Sequence, residues 1–69
     1  MRRYSVLLAR TRTGFSAHVP DLPGCVAAGA TRRDTLRLIR GAIRMHIEAI
    51  ERDGERVPRP TTDCETVEV

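Results

Sequence analysis

Residues 31–54 read TRRDTLRLIRGAIRMHIEAIERDG and decide the fold, because they predict one long amphipathic helix. Thr31 is a suitable N-cap, and Asp34 stands at the third helical position, close to a capping box. We expect the helix to cover residues 32–53, with Gly54 at C′ and two prolines shortly beyond. Apolar residues spaced 3 or 4 apart form one stripe that should be buried. The residues of this stripe are Leu36, Ile39, Ile43, Ile47 and Ile50.

The same helix carries more apolar surface than one packing face needs. Leu38 and Met45 lie outside the stripe and widen the apolar sector to about 200°, roughly twice what a single face requires. One sheet covers only part of that sector, so we expect a second subunit to cover the rest and the protein to be a homodimer or higher homo-oligomer. Alternatively, both side chains are isolated exposed apolar residues, which are common. The candidate oligomer contacts are Leu38, Met45, Val67 and Val69.

The remaining sector of the helix is basic. Its four cations, called the arginine ridge below, are Arg33, Arg37, Arg40 and Arg44. Guanidinium groups are suited to phosphates and carboxylates, so the arginine ridge is a candidate surface for nucleic acid or for an acidic partner. It equally fits the solvated face of an amphipathic helix. Both interpretations stay open, although Tyr4 and Phe15 are expected in the core and leave no aromatic side chain for base stacking.

On both sides of the helix the sequence predicts short strands. Three precede it, at residues 3–9, 15–19 and 25–28, and a fourth follows at residues 66–69. A polar connection ending in Gly14 and a proline-rich turn join the first three as an antiparallel meander. The order is βββαβ in a single domain of residues 1–69. We therefore expect an α+β fold with one long helix on one face of an antiparallel sheet.

Composition narrows the class of protein. The chain has 69 residues, 41% hydrophobic and only 3% aromatic, so its core should be thin and aliphatic. All 12 cations are arginine, against 9 acids, which leaves a net charge of +3. No apolar run is long enough to span a membrane, and no signal-peptide pattern is present, so we expect a cytoplasmic protein. Two cysteines far apart in sequence do not make a disulfide framework.

Side chains that could support catalysis are scattered. Cys25, Cys64, His18 and His46 lack the paired spacing of a zinc site. The three central strands carry no acid, whereas two-metal hydrolysis needs several that converge. Asp21 lies in the proline-rich turn, where local backbone hydrogen bonds are usual. We expect no catalytic residues, no metal and no cofactor. Metal-free RNA cleavage with a histidine as general base is the catalytic alternative, but nothing places the two histidines together.

One stretch of the chain has a distinctive order of residues. Residues 14–26 read GFSAHVPDLPGCV, Gly29, Thr31, Asp34 and Leu36 follow, and residues 57–60 read VPRP after the helix. This order resembles the N-terminal domain of HicB-family antitoxins over roughly residues 3–60. The resemblance implies a βββαβ fold like a truncated, catalytically inactive ribonuclease H. It also implies a partner, a small toxin of the HicA type that cleaves mRNA with a histidine and that the antitoxin masks.

Three features depart from the family pattern. Many members carry a C-terminal DNA-binding domain, which these 69 residues do not contain, so we do not expect operon autorepression by this route. Asp34-Thr35 replaces the usual Glu-Ala pair at the start of the helix. The net charge of +3 is unexpected for a protein that docks on a basic toxin, which implies either a local apolar interface or another role.

Two functional hypotheses follow. The first is an antitoxin that blocks a ribonuclease toxin by steric occlusion in a type II toxin–antitoxin system. The second is a solitary nucleic-acid-binding module that uses the arginine ridge. Salt separates them, because phosphate binding weakens steeply with salt and an apolar protein interface does not.

Overall fold

The computed structural model describes residues 2–69 and shows an α+β fold, as predicted. Its elements are β1 (Leu7–Arg10), β2 (Phe15–His18), β3 (Val26–Gly29) and α1 (Arg32–Arg52). The strands form an antiparallel sheet in the order β1-β2-β3, so β2 is central and β3 is an edge. No helix in the described part of the chain is both long and apolar enough to cross a membrane.

The register of the sheet decides which side chains meet the helix. Leu8 pairs with Ala17 and Ala17 with Ala27, and this row packs in the core with α1. Successive strand residues point to opposite faces, so the rows on either side of it point away from the helix. The apolar residues buried at the centre are Ala17, Val19, Leu22, Cys25 and Ile39. The core is therefore thin and aliphatic, as the composition predicts.

Both ends of α1 are capped as the sequence predicts. Thr31 has extended backbone angles, and its Oγ1 accepts a hydrogen bond from the Asp34 N–H at 3.0 Å. At the other end the Gly54 N–H donates to the Glu51 carbonyl, and the next N–H donates to the Ile50 carbonyl. Gly54 has a φ of 75°, which completes a Schellman motif. The helix ends at Arg52, one residue earlier than expected.

A close approach between β3 and α1 fixes the position of the helix. Thr35 is fully buried, and its Oγ1 donates a hydrogen bond to the Thr31 carbonyl at 2.7 Å. A Cβ built on Gly29 would lie 2.7 Å from that Oγ1, which is inside van der Waals contact. Gly29 therefore lets the first turn of α1 pack directly on the backbone of β3. Gly14 makes a similar approach, since a Cβ there would overlap the Gly29 carbonyl oxygen.

The structure corrects the sequence prediction by one residue at β2, which ends at His18, and at β3, which covers Val26–Gly29, and by more at the other two strands. β1 starts at Leu7 rather than Arg3, because extending the pairing would set Ser5 opposite Pro20, which has no N–H to donate. The predicted fourth strand at residues 66–69 is wrong for the single chain, which has no regular secondary structure over residues 55–69. Val67 and Val69 have strand character, but both side chains are exposed and belong to no strand.

Asp21 holds the segment that follows the helix. Its carboxylate accepts hydrogen bonds from the backbone N–H groups of Thr61 and Thr62, both at 3.0 Å. It also accepts from their hydroxyls at 3.1 and 2.7 Å. These partners lie 40 and 41 residues away, so the expectation of local hydrogen bonds within the turn is wrong. We call this arrangement the Asp21 latch. Its hydrogen bonds, those from Thr62 above all, lower the pKa of the Asp21 carboxyl.

Two hydrogen bonds from the residues that precede β1 support the Asp21 latch. The Tyr4 hydroxyl donates to the Pro58 carbonyl at 2.5 Å, and the Ser5 hydroxyl donates to the Thr62 carbonyl at 2.5 Å. Residues 58–62 are thereby tied to both the start of the chain and the β2–β3 turn. Residues 63–69 then leave this point as a free segment, which we call the acidic tail.

Replacing Gly29 by alanine should destabilise the fold by about 1–3 kcal/mol, because the added methyl pushes Thr35 away from β3. Gly41→Ala is the matched control. Nothing lies within 4 Å of a Cβ at Gly41, so alanine should raise helix stability by roughly 0.5–1 kcal/mol. Urea unfolding of both variants at one low protein concentration gives the comparison. Equal stabilities for the two would contradict the close approach.

The Asp21 latch should be sensitive to acid. Because the folded-state pKa of Asp21 lies below the unfolded value, its contribution is complete above the unfolded pKa and is lost as the pH falls through the folded one. Unfolding followed from pH 6 down to about pH 2 should show a loss of stability that Asp21→Asn removes, since an amide cannot accept all four bonds. An identical acid profile in wild type and variant would contradict the latch.

Candidate protein-interaction surfaces

The face of the sheet opposite the helix is bare and uncharged. Leu7, His18 and Val26 form one row across the three strands by their register, and a second row of small residues runs beside it. The second row consists of Ala9, Ser16 and Ala28. No arginine or acid belongs to either row, and Val26 is 64% exposed. We call these six residues the open sheet face. An uncovered apolar sheet face of this kind is typical of a protein interface.

A second apolar surface lies between the free edge of β3 and the outer side of α1. Val26 and Ala28 form one wall, and Leu38 and Met45 form the other, around a volume of about 490 Å³. We call this surface the β3–α1 groove. Leu38 is 41% and Met45 72% exposed, so the apolar excess predicted from the helical wheel is uncovered in the single chain. Whether a subunit covers these residues stays a prediction.

The floor of the β3–α1 groove is open because its helical residues are small. Gly41 and Ala42 face it, and the space beside Gly41 is empty to 4 Å. Arg37 lines one end of the groove, whereas His46 and Cys25 line the adjoining space at the other. The groove therefore combines an apolar channel, an unpaired strand edge and a cation at one end.

The arginine ridge is exposed along α1, as the helical wheel predicts. All four of its side chains are solvent-accessible, and the ion pair in residues 2–69 joins other residues, Arg2 and Glu51, at 3.7 Å. Glu51 does not form this ion pair with an arginine of its own helix. It pairs instead with the start of the chain, which passes near the end of α1. A functional role for the arginine ridge stays a prediction.

The candidate catalytic side chains do not meet. His18 lies on the open sheet face, and His46 lies at the groove end on α1. Cys25 is buried, and burial raises the pKa of its thiol, which keeps it protonated and unreactive. Cys64 is exposed in the acidic tail. Within residues 2–69 no three His, Cys, Asp or Glu side chains are grouped closely enough to hold a metal ion.

Sequence reasoning missed two features of these surfaces. The β3–α1 groove joins a strand edge to a helix face, and only the run of small residues Ala27-Ala28-Gly29 with Gly41-Ala42 gave a signal for it. The Asp21 latch joins residues 40 apart, and a turn aspartate with the threonine pair Thr61-Thr62 was its signal. Local periodicity does not report either one.

A sheet covered on one face, a long half-covered helix and exposed apolar side chains on both make this a small α+β domain with uncovered apolar surface. A family model described as HicB_like antitoxin of bacterial toxin-antitoxin system matches residues 4–68. The chain belongs to this family, and the resemblance seen in the sequence is confirmed.

Two relatives are similar in sequence. UPF0150 protein Ta0767 of Thermoplasma acidophilum is 35% identical over 66 residues, covering 94% of this chain and 96% of that protein. An uncharacterised 14.9 kDa protein in the rep-hol intergenic region of Haemophilus phage HP1 is 34% identical over 56 residues. That match covers 81% of this chain but only 42% of the phage protein.

A solved structure is similar in fold. A chain of the HicA3 and HicB3 toxin-antitoxin complex superposes with a TM-score of 0.74 and 35% sequence identity, covering 87% of this chain and 70% of that one. The fold of three antiparallel strands and one long helix is therefore that of an antitoxin structure.

Proposed function

We propose that this protein is an antitoxin that neutralises a small, mRNA-cleaving toxin of the HicA type by binding it directly. The observation that carries the proposal is the likeness to a chain of a toxin–antitoxin complex, at a TM-score of 0.74 and 35% identity. In this proposal residues 1–69 act as one domain in the cytoplasm, where the toxin meets mRNA. The protein acts there as a homo-oligomer, since its apolar surfaces exceed what one partner needs to cover.

Neutralisation is proposed to be steric and not catalytic. The strands carry no acid, and His18 and His46 lie on different surfaces, so no pair of acid–base groups converges on one substrate. A protein of this kind blocks a ribonuclease by covering its RNA-binding surface. The affinity must then come from the contact surface itself.

We infer that the toxin is bound through the open sheet face. A chain of charge +3 is repelled by a basic, RNA-binding partner wherever its own cations line the contact. The open sheet face carries no cation, and its exposed Leu7 and Val26 supply apolar area around His18. The arginine ridge belongs to α1, on the opposite side of the sheet. An apolar contact at the open sheet face therefore avoids the repulsion between this positively charged chain and a basic toxin.

Co-expression with the protein encoded beside this gene, which the proposal expects to be a small toxin of the HicA type, tests the proposal. Wild type should restore growth, whereas Leu7→Asp should weaken binding by about 30-fold or more, the cost of an interface hot spot, because it buries a charge. Charge reversal of the arginine ridge, Arg37→Glu with Arg44→Glu, is the matched control and should keep neutralising. Circular dichroism checks that each variant folds.

Failure of the wild-type protein to restore growth would contradict the proposal. So would RNA cleavage by the pure protein that disappears in His18→Ala or His46→Ala, since that result would make the chain an enzyme.

One observation favours nucleic-acid binding as a second function. The arginine ridge presents four exposed cations on one side of a helix, and the ion pair in residues 2–69 involves none of them. We infer that contacts of this kind, if formed with RNA or DNA, are made with phosphates, because the two aromatic side chains are half-buried. Tyr4 packs against the core, and Phe15, which was expected there, lies instead beneath Arg10.

Phosphate binding by the arginine ridge should show a steep dependence on salt. With up to four contacts, log K should fall against log salt with a slope of roughly −3 to −4 for duplex DNA. Arg37→Glu with Arg44→Glu should abolish it, whereas Arg56→Glu with Arg59→Glu, which removes as many cations elsewhere, should leave most of it. Fluorescence anisotropy measures both. Equal losses in the two variants would assign the binding to net charge alone.

A further inference from the structure

We propose that the acidic tail of a second copy of this chain occupies the β3–α1 groove as an added strand, so that two copies exchange tails in a two-fold dimer. This goes beyond the antitoxin proposal and does not depend on toxin binding. The groove adjoins the open sheet face at Val26 and Ala28, but its helical wall, with Leu38 and Met45, lies outside that face. The proposal joins two features that the single chain leaves unused, an empty receiving site and an exposed segment that matches it.

The single chain exposes more surface to solvent than a compact monomer of the same mass does. Its accessible area is 5870 Å², whereas a compact monomer of 7.7 kDa exposes about 4300 Å². Its radius of gyration is 13.0 Å, against about 11 Å for a compact chain of this length. The excess of roughly 1500 Å² is larger than the ~800 Å² that each partner buries in a standard stable interface.

The β3–α1 groove is shaped to receive a strand. β3 pairs with β2 on one side only, so its other edge presents unpaired backbone donors and acceptors. Leu38 and Met45 stand beside that edge, and the gap between them opens over Gly41. An added strand thus gains backbone hydrogen bonds from β3 and apolar contacts from α1, as in β-augmentation.

The residue pattern and the charge of the acidic tail are both complementary to the β3–α1 groove. Val67 and Val69 alternate with polar residues, which is the pattern of a strand with one apolar face, and Val67 is 76% exposed. Residues 61–69 carry three acids and no arginine, whereas residues 1–60 carry all twelve arginines and six acids, a balance of +6. A segment of charge −3 is therefore attracted to the helix that carries the arginine ridge.

An antiparallel register satisfies every contact together. Glu65, Val67 and Val69 share one face of an extended chain and span about 13 Å. On α1 the residues Arg37 and Met45 are about 12 Å apart along the axis. Running antiparallel to β3, the tail places Glu65 beside Arg37, Val67 over Gly41 and Val69 against Met45. The cation at one end of the groove thus meets the acid of the same face.

The Asp21 latch favours a second copy as the donor of the tail. It ties Thr61 and Thr62 to the β2–β3 turn. Thr62 also accepts a hydrogen bond from Ser5, just before β1, which is the sheet edge opposite β3, and both valines of the tail are exposed. Exchange between two copies fills both grooves by the same contact, which is the closed, isologous arrangement of a two-fold dimer. Residues 66–69 then become the strand that the sequence pattern predicts, but in the partner's sheet.

Sedimentation equilibrium at tens of micromolar tests the interface. Wild type should have twice the mass of the 7.7 kDa chain. Gly41→Leu should be monomeric, because leucine fills the groove without a steric cost to the fold. Val67→Asp with Val69→Asp should be monomeric because it puts charges on an already exposed segment. Leu7→Asp, on the open sheet face, should stay dimeric. A monomeric wild type, or dimers in either blocked variant, would overturn the proposal.

Cysteine cross-linking tests whether the tail comes from the partner. In a Cys64→Ser background, Met45→Cys with Val69→Cys should form, on mild oxidation, a disulfide-linked dimer on a non-reducing gel. Leu7→Cys with Val69→Cys is the control pair and should stay unlinked. A cross-link within one chain would show that the tail folds onto its own groove, and the absence of any cross-link would show that it never enters; either result overturns the proposal.

Discussion

The contact between Gly29 and Thr35 controls the architecture. Because Gly29 has no side chain, the buried hydroxyl of Thr35 and the first turn of α1 lie directly on the end of β3. The hydrogen bond from Thr35 to the Thr31 carbonyl ties the same turn to its N-cap. This one close approach sets the rotation of the helix. The Ile39 side of α1 then faces the sheet, and the side with Leu38 and Met45 is left free.

The two apolar surfaces follow from that arrangement. A three-stranded sheet with one helix covers only one of its faces, so the open sheet face remains bare. The sheet covers only part of the apolar sector of α1, so the β3–α1 groove remains open as well. A domain of 69 residues buries little apolar area in its own core. Leaving both surfaces exposed to water therefore lowers the stability of the single chain. The partners proposed for these surfaces are a toxin on the open sheet face and the acidic tail of a second copy in the β3–α1 groove.

The features of the fold that depend on residues close together in the sequence could be predicted from the sequence alone. The N-cap at Thr31, the C′ glycine at Gly54 and the buried side of α1 all follow from spacings of a few residues, and the structure confirms them. The strand at residues 66–69 was predicted from the same kind of pattern and is absent from the single chain, because strand formation also needs backbone pairing with a neighbouring strand, which local alternation does not report. The Asp21 latch was missed because its partners are 40 and 41 residues away, beyond any local pattern.

The central claim is that this domain neutralises a toxin by apolar contact with it. Titration of this protein into a purified toxin of the HicA type, with RNA cleavage followed in parallel, tests it most directly; the product of the neighbouring gene is the toxin to purify first. We predict a stoichiometric complex in which cleavage stops, with an affinity that changes little between about 0.1 and 0.5 M salt, because an apolar contact is weakly screened. Continued cleavage at saturation, or an affinity that falls steeply with salt, would contradict the claim.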